Sequence, residues 1–202
     1  MNIVIFGASG RMGHLLVQQA LDHDHEVVAY VRDATKLRII DTRLRVVVGT
    51  LDDDTAIEQA TRSADAVIEG VGAVSDGTRR IVAAMQRTNV RRLVAVSTCS
   101  VPDPADLPDL KFKALVAFVK TAAPGPYGEI RRAAELVRAS GLDWTLVRVA
   151  RLGNGPATGR IKTGHYGHGI VDLSITRADM AAFLLAQVTD RTYLNQAPAI
   201  SN

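Results

Sequence analysis

The 202-residue sequence predicts an α/β fold, in which a doubly wound and mainly parallel sheet carries helices on both faces. Three observations lead to this fold class. Short β-rich runs alternate with helical patterns along the chain. These runs are almost continuously apolar, which is typical of strands buried on both faces. The first run passes directly into a turn with glycines at positions 7, 10 and 13. Sheets of this kind bind ligands at the carboxyl ends of their strands, where the strand order reverses.

The predicted elements follow one another in a regular order. Six runs are predicted to be strands: residues 3–6, 27–31, 46–48, 66–69, 93–97 and 144–147. Helical patterns lie at residues 11–21, 53–63, 78–89, 128–140 and 177–188, and residues 32–41 form a short helix or an irregular crossover. Because crossovers between parallel strands are right-handed, this order predicts one doubly wound domain over residues 1–202.

Local chemistry marks several helix ends. Asp53 and Asp76 can each cap the helix that follows. Thr176 and Asp179 resemble a capping box, and Gly141 is placed to end a helix.

Two stretches interrupt the alternation. Residues 102–108 form a turn-rich excursion with three prolines, and an apolar helical pattern follows at positions 112, 115, 116 and 119. Residues 153–169 hold six glycines and two histidines. Long loops at the carboxyl side of a sheet commonly carry substrate contacts, so the segments near 100–125 and 150–170 are predicted to lie on the substrate side.

Composition argues against several classes of protein. The formal charge of +3 comes from scattered basic pairs, and aromatic residues are only 4% of the chain, so no nucleic-acid binding is expected. No apolar run is long enough to span a bilayer, and the first residues lack the charged leader of a signal peptide, so no membrane association is expected. Cys99 is the only cysteine, which excludes an intrachain disulfide and favours a reducing cytoplasm. We expect a cytoplasmic monomer or homodimer.

The glycine turn at the end of the first strand is typical of a dinucleotide-binding site. The first turn of a helix has unpaired backbone N–H groups and a positive dipole end, and both favour phosphate. The first glycine permits the tight turn, the second lets the backbone approach the pyrophosphate, and the third lets the helix lie close to the strand. The cofactor-binding residues predicted in this turn are Gly7, Ser9, Gly10, Arg11, Met12 and Gly13.

The residues after the second strand bear on the choice between NADP and NAD. An acidic side chain there binds the ribose hydroxyls in NAD-selective sites, whereas arginine meets the 2′-phosphate in NADP-selective sites. Arg32 comes first after the strand, and Arg11 could reach the same phosphate, so NADP(H) is favoured over NAD(H). Asp33 follows directly, and a ribose contact from its carboxylate remains the alternative.

The ends of the third and fourth strands supply further candidate contacts. Leu51 and Asp52 are placed to meet the adenine edge, although the run of three aspartates is equally a helix-start signal. Gly70, Val71 and Gly72 follow the fourth strand and would let the cofactor ribose lie against backbone.

Three side chains could carry proton chemistry. Ser97 ends the fifth strand, where it would face the nicotinamide. Tyr127 and Arg131 are four residues apart and share one helical face. A tyrosine hydroxyl could donate a proton to a carbonyl oxygen while hydride arrives, and a neighbouring cation could hold the ribose.

These motifs together resemble the atypical short-chain dehydrogenase/reductases. They are Gly7-Ala-Ser-Gly-Arg-Met-Gly13, Tyr30-Val-Arg-Asp33, Tyr127-x-x-x-Arg131-x-x-x-Glu135 and Ser140-Gly-Leu-Asp-Trp-Thr-Leu-Val-Arg148. Within that family the chain is similar to the NmrA-like, NAD(P)H-binding group, which includes the flavin reductase/biliverdin reductase B type. The resemblance covers nearly the whole chain and implies a Rossmann fold that binds NADP(H) through residues 7–13, Arg32 and Asp52. It also implies cofactor contacts from Ser97, Val149 and Ala150.

One departure from the family's pattern concerns catalysis. The family's active pattern is Tyr-x-x-x-Lys, whereas position 131 holds an arginine, which stays charged and does not relay protons. Ser97, Tyr127 and Arg131 are therefore candidate catalytic residues, beside the alternative that Tyr127 packs and Arg131 is a surface residue. Flavin-reductase-like members work without a catalytic tyrosine, because hydride passes directly to an acceptor stacked on the nicotinamide.

Loop residues near the sixth strand are substrate candidates. Arg151 could hold an anionic acceptor or form a salt bridge. His165 and His168 lie among glycines, where they would contact substrate or have no special role. No metal site is expected, because no carboxylate or cysteine set accompanies the two histidines.

The expected function is that of an NADPH-dependent oxidoreductase, which transfers hydride to a small planar or carbonyl acceptor such as a flavin or a quinone. Two alternatives stay open. One is an NADP(H)-binding redox sensor without turnover, which the arginine at position 131 favours. The other is an isomerase or epimerase that uses the bound dinucleotide transiently.

Overall fold

The regular elements of the computed structural model follow the predicted alternation of strands and helices. The structure describes residues 1–72, 74–107, 110–167 and 169–202. Within these ranges the strands are β1 (Asn2–Phe6), β2 (Glu26–Val31), β3 (Leu44–Val48), β4 (Ala66–Glu69), β5 (Arg92–Thr98), β6 (Asp143–Val149), β7 (Leu152–Gly153), β8 (Lys162–Gly164), β9 (Ile175–Thr176) and β10 (Ala199–Ser201). The α-helices are α1 (Arg11–Asp22), α2 (Asp54–Thr61), α3 (Ser75–Arg87), α4 (Leu110–Ala122), α5 (Pro124–Ala139) and α6 (Arg177–Ala186), and Ala34–Lys36 forms a 3₁₀ turn.

The main sheet has eight strands in the order β3-β2-β1-β4-β5-β6-β10-β8. Its strand pairs are parallel, apart from the antiparallel pair of β10 with β8. The strand order reverses at β1, where Phe6 is paired with Tyr30 of β2 on one side and with Glu69 of β4 on the other. The carboxyl ends of these three strands flank the switch point, which is where ligands lie in sheets of this kind.

Helices cover both faces of the sheet, because each strand buries alternate side chains on opposite sides. On one face, Ile5 of β1 lies in a cluster with Leu16 of α1 and Leu184 of α6. On the other face, Phe6 lies in a cluster with Ile81 of α3 and with buried residues of α2 and α5. Each fully buried side chain of this size contributes about 2 kcal/mol of burial free energy. The predicted doubly wound α/β fold is confirmed.

Helix α4 packs outside the two main clusters. Its Phe112 belongs to a third cluster with Cys99, Tyr166 and Ala199, and the rings of Phe112 and Tyr166 are 4.5 Å apart. Burial in this cluster raises the pKa of the Cys99 thiol, as befits a small packing residue. The excursion after β5 and the glycine-rich loop after β6 therefore meet at one place beyond the strand ends.

Two helix starts differ from the prediction. Helix α3 begins at Ser75, so Asp76 lies in its first turn instead of capping it, and its carboxylate pairs with Arg79 and Arg80. Helix α5 begins at Pro124, because proline fits the first turn of a helix. The predicted caps at Asp53 and Thr176 are confirmed: each side chain accepts a hydrogen bond from a backbone N–H three residues on. Gly141 follows α5 with a φ of +69°, which is the left-handed conformation of a helix end.

In the ranges that the structure describes, no helix has both the length and the apolar character that a bilayer crossing needs.

Candidate functional site

The turn between β1 and α1 leaves little room for a side chain at positions 7 and 13. Gly7 has a φ of +84°, which residues with a Cβ rarely adopt. A Cβ at position 13 would lie 2.2 Å from the carbonyl oxygen of Gly7 and 2.7 Å from two backbone atoms of Ala8. Gly10 precedes α1 without any side-chain cap, and its N–H donates to the Gly7 carbonyl at 3.0 Å. The first turn of α1 thus offers its backbone N–H groups to an anion at the switch point.

The backbone at the end of β4 closes the other side of this crevice. A Cβ at position 7 would lie 3.1 Å from the carbonyl of Gly70 and 3.3 Å from the Cγ1 of Val71. A Cβ at position 70 would lie 3.2 Å from the Cε of Met12. Gly72 has a φ of +77°. The structure therefore brings the predicted residues 70–72 beside residues 7–13. Ser9, within the glycine turn, is half-buried.

After β2, Asp33 caps a turn, whereas Arg32 has no salt-bridge partner among the described residues. The carboxylate of Asp33 accepts hydrogen bonds from the N–H of Thr35 at 3.0 Å and from its hydroxyl at 2.7 Å. These bonds lower the pKa of Asp33, the hydroxyl bond most, and they turn the carboxylate into the cap of the 3₁₀ turn. Arg32 and Arg11 are exposed, and neither forms a salt bridge with any described residue. Two guanidinium groups, one at the start of α1 and one just after β2, are therefore available to a phosphate.

The loop after β3 is organised by the three aspartates. The Thr50 hydroxyl donates to the carboxylate of Asp52 and lowers its pKa. Asp53 accepts from the N–H of Ala56 at 2.9 Å and caps α2. The side chain of Leu51 packs on α3, where a Cβ at position 77 would lie 2.7 Å from its Cδ1. Asp52 is thus separate from the cap, and its contact with the adenine stays a prediction.

Glu69 is a buried acid at the carboxyl end of β4 that the sequence prediction missed. Its side chain is 3% exposed and accepts a hydrogen bond from the hydroxyl of Thr78 in α3. Burial raises the pKa of Glu69 to about 7, although the Thr78 hydroxyl acts in the opposite direction. The signal available in the sequence is a single carboxylate at the end of an otherwise apolar run.

The end of β5 provides a buried hydroxyl without a partner. Ser97 is 1% exposed, and its Oγ has no hydrogen-bond partner among the described residues. The neighbouring hydroxyls differ, since Thr98 Oγ1 and Ser100 Oγ are hydrogen-bonded to each other at 2.6 Å. A buried hydroxyl normally has a partner, so Ser97 is the group at this strand end that a ligand atom would satisfy.

Tyr127 and Arg131 form the pair that their spacing predicts. Both lie within α5, and Arg131 Nη1 donates to Tyr127 Oη at 3.2 Å, while the guanidinium carbon lies 5.7 Å from the ring centre. Tyr127 is half-buried and lies one helical turn before Ile130, on the stripe that packs against the sheet. The structure contains no hydrogen bond between this pair and Ser97 in the part of the chain it describes.

The end of β6 carries the remaining predicted contacts. Val149 is buried, and its carbonyl accepts from the N–H of Cys99 at 2.9 Å. Ala150 packs against the cluster around Phe112, and Arg151 is exposed without a salt bridge to any described residue. One residue pair there was not foreseen: Arg148 of β6 is fully buried against Asp106 of the excursion. The signal in the sequence is a charged residue inside an apolar strand, whose partner 42 residues away carries no mark of its own.

The two loop histidines were predicted as substrate candidates. His165 Nδ1 lies 3.7 Å from a carboxylate oxygen of Asp103. His168 lies outside the described residues. The described residues contain no group of three or more His, Cys, Asp or Glu side chains that could hold a metal ion.

The geometry at the switch point fits a nicotinamide dinucleotide. A Cβ at position 7 or 13 would crowd neighbouring backbone, and this close packing of strand, turn and helix is what the glycines of a pyrophosphate site provide. The available cations lie on the β2 side, and the unpartnered Ser97 hydroxyl lies on the β5 side. These features match the two ends of a cofactor that extends across the strand ends.

Comparison with known proteins gives the same result. A family model described as NAD(P)H-binding matches residues 7–191. A 3-diazoavenalumate denitrifying reductase from a Streptomyces species is 30% identical over 187 residues, which cover 81% of this chain and 60% of that protein's length.

Solved structures share the fold. A short-chain dehydrogenase/reductase from Veillonella parvula DSM 2008, in complex with NADP, has a TM-score of 0.84 and 24% identity, and the match covers 100% of this chain and 94% of that one. An anaerobillin reductase from Escherichia coli O157:H7 has a TM-score of 0.79 and 23% identity, with coverage of 100% and 97%. The region matched by the family model begins at Gly7 and includes the residues of the candidate site. The chain therefore belongs to the NAD(P)H-binding family, as its resemblance to the atypical short-chain dehydrogenase/reductases implied.

Proposed function

We propose that the protein is an NADPH-dependent reductase that transfers hydride to a small planar or carbonyl acceptor, such as a flavin or a quinone. The observation that carries this proposal is the backbone crevice at the switch point, with unpaired arginines at one end and the buried, unpartnered Ser97 hydroxyl at the other. The reductase names of the Streptomyces relative and of the Escherichia coli neighbour support it.

NADPH is proposed as the cofactor because of the two charged side chains, Arg32 and Asp33, that follow β2. Oδ1 of Asp33 accepts both hydrogen bonds from Thr35, so the carboxylate serves as the cap of the 3₁₀ turn, and Oδ2 alone is left to accept from a ribose hydroxyl. Arg32 is exposed and forms no salt bridge with any residue that the structure describes, and a guanidinium binds a phosphate dianion in a bidentate manner. The Veillonella parvula structure with NADP, which shares the fold, supports the same choice.

A bound NADPH supplies the hydride, and the chain's own residues position the acceptor and provide the proton. Ser97 Oγ, which has no hydrogen-bond partner in the described part of the chain, would donate a hydrogen bond to an acceptor oxygen. Tyr127 Oη accepts a hydrogen bond from Arg131, so its own proton remains available for donation. Arg151, exposed beyond β6, could bind an anionic group of the acceptor.

The test is NADPH oxidation by the purified protein with free flavin, quinones and small aldehydes, with NADH in parallel. Consumption with one acceptor class supports the reductase. Binding of NADPH without consumption contradicts it and favours the redox sensor. Turnover of a sugar or similar substrate without net NADPH oxidation would favour the isomerase or epimerase.

The variant Tyr127→Phe separates two modes of hydride transfer. With a carbonyl acceptor, loss of the proton donor should lower kcat by about 10²-fold or more. With a flavin acceptor, hydride transfer needs positioning alone, and kcat should stay within about twofold. Glu135→Gln, at an exposed position on the same helix, is the matched control. An unchanged kcat with aldehydes would remove Tyr127 from the proposed chemistry.

A further inference from the structure

A buried ion pair lies beneath the segments that meet beyond the strand ends. The side chain of Arg148 is 0% exposed and that of Asp106 is 7% exposed. Arg148 Nη1 and Nη2 both donate to the Asp106 carboxylate, with Nη2 at 2.9 Å from Oδ1. Nε donates to the Ala197 carbonyl at 2.7 Å, and Nη1 also donates to the Val101 carbonyl at 3.1 Å. The guanidinium thus has protein partners on every side, in the bidentate geometry of a strong pair.

The same carboxylate holds two loop segments. Asp106 accepts from the N–H of Asp103 at 2.8 Å and from the N–H of Tyr166 at 3.0 Å. The N–H of Leu107 donates to the Tyr166 carbonyl at 2.9 Å, and the Tyr166 hydroxyl donates to the carbonyl of Arg148 at 3.3 Å. Residues 101–107 and 165–166 are therefore both tied to β6 through one ion pair.

This pair lies next to the chemical end of the site. In the register of β5 and β6, Arg148 is directly opposite Ser97, and it precedes Ala150 by two residues. Tyr166 packs on Phe112 in the cluster that Ala150 also joins. The residues that pack beside Ser97 and Ala150, including Tyr166, are thus held in place by the ion pair of Arg148 and Asp106.

Stability alone does not account for this pair. Burial by itself would raise the pKa of Asp106, but the hydrogen bonds and charge of Arg148 lower it below its usual value, which favours the charged carboxylate. Two charges lose hydration when they are buried, and an apolar pair of similar volume is often as stable. The best-attested role of such pairs is to specify one arrangement of the elements that they join.

We propose that Arg148 and Asp106 are positioning residues for the acceptor. They hold residues 101–107 and 165–166 in one arrangement relative to Ser97 and Ala150, and so fix the shape of the acceptor side. This inference rests on the proposed reductase function. It predicts a role in acceptor use that is separable from folding and from NADPH binding.

The test replaces both charges at once, in the double variant Asp106→Leu/Arg148→Met. We expect a Tm near that of the wild type, an unchanged Kd for NADPH, and a kcat/KM for the acceptor that falls by about tenfold or more. Hydrogen exchange should become faster at the amides of Leu107 and Tyr166 and stay unchanged in β1 and α1. The matched control is Glu58→Leu/Arg87→Met, which removes an exposed pair with a 2.9 Å contact and should change none of these quantities.

Each outcome decides the question. A stable double variant with normal exchange and normal acceptor kinetics overturns the inference. A wild-type protein that consumes no NADPH overturns the proposed function and the acceptor role with it, whereas exchange still reports whether the pair holds the segments.

If the double variant does not fold, Asp106→Glu keeps the charge and shifts the carboxylate by one methylene. We then expect a raised acceptor KM with an unchanged Kd for NADPH. An unchanged acceptor KM in this folded variant would overturn the inference.

Discussion

At the scale of single residues, Glu69 makes the stability of the protein depend on pH. Burial raises its pKa from 4.5 to about 7, so the folded protein holds a proton that the unfolded chain releases in this interval. The contribution of Glu69 to stability is therefore fully present below pH 4.5 and is lost as the pH rises through 7. The difference corresponds to about 3 kcal/mol in the free energy of unfolding.

The variant Glu69→Gln should remove this dependence, because glutamine keeps the shape and carries no charge. We expect it to match the wild type below pH 4.5, to be more stable by about 1 kcal/mol at pH 5, and to be more stable by about 3 kcal/mol above pH 7. Urea unfolding at about pH 4, 5, 6, 7 and 8 measures the difference. The exposed Glu135→Gln on α5 is the control. A stability difference that does not vary with pH would show that Glu69 titrates normally in the folded protein.

Arg32 decides the cofactor preference in the proposed function. Arg32→Asp should weaken NADPH binding by about 10- to 100-fold, since charge-assisted hydrogen bonds to the 2′-phosphate are lost. NADH binding should stay the same or improve, because the new carboxylate can accept from the ribose hydroxyls. Titration of both cofactors into Arg32→Asp and into the control Arg62→Gln, at the far end of α2, measures the ratio. An unchanged ratio would contradict the 2′-phosphate contact.

Sequence patterns could place Arg32 but could not assign Asp33. Both follow the same strand, and only the 3₁₀ turn shows that the carboxylate is used by Thr35. The same limit applies to Asp106, which looks like one more turn residue until the fold brings it to Arg148. Candidate site residues at strand ends can be predicted from the sequence, because the carboxyl ends of parallel strands lie along one edge of the sheet. The side-chain partners of residues far apart in the sequence cannot be predicted in this way.

At the scale of elements, the packing of α1 on β1 separates the two roles of the glycines. A Cβ at position 13 would lie 2.2 Å from the carbonyl oxygen of Gly7, so α1 would have to move. A Cβ at position 10 would lie 3.3 Å from the same oxygen. Gly10→Val should therefore keep the fold and lose NADPH binding. Gly13→Ala should lose binding and also roughly 1–3 kcal/mol of stability through overpacking.

Fluorescence titration with NADPH and thermal unfolding distinguish the two variants. Gly125→Ala is the matched control, because no atom of a described residue lies within 4 Å of the added methyl and the position is helical. It should bind NADPH normally and be as stable as the wild type or more so. NADPH binding by Gly10→Val would contradict the pyrophosphate assignment.

The elements were predictable where their patterns were long. The six main strands and the helix over 112–119 follow from apolar runs and periodicity. The start of α5 was placed too late, because Pro124 and Pro126 resemble a break but fit the first turn of a helix. Strands β7 to β10 have two or three residues each, which is too short for a period, and their pairing depends on the finished sheet.

At the scale of the whole molecule, a dinucleotide would join the two halves of the sheet. The glycine turn, Arg32 and Asp52 belong to the half built on β1 to β3, and Ser97, Val149 and Ala150 to the half built on β4 to β6. A ligand that binds the folded state alone raises stability by mass action, by about 4 kcal/mol at 1,000 times its Kd. For a chain of this size, that corresponds to a rise in Tm of roughly 10 °C.

NADPH should therefore protect backbone amides on both sides of the switch point, and this can be measured by hydrogen exchange with 2′,5′-ADP as the comparison. The fragment lacks the nicotinamide, so its protection should be confined to residues 7–13 and the ends of β2 and β3. NADPH should add protection at the ends of β5 and β6, where Ser97 and Ala150 lie. If both ligands protected the same amides, the nicotinamide would not lie at Ser97, and the hydride would have to be delivered elsewhere than at the acceptor side built on Arg148 and Asp106.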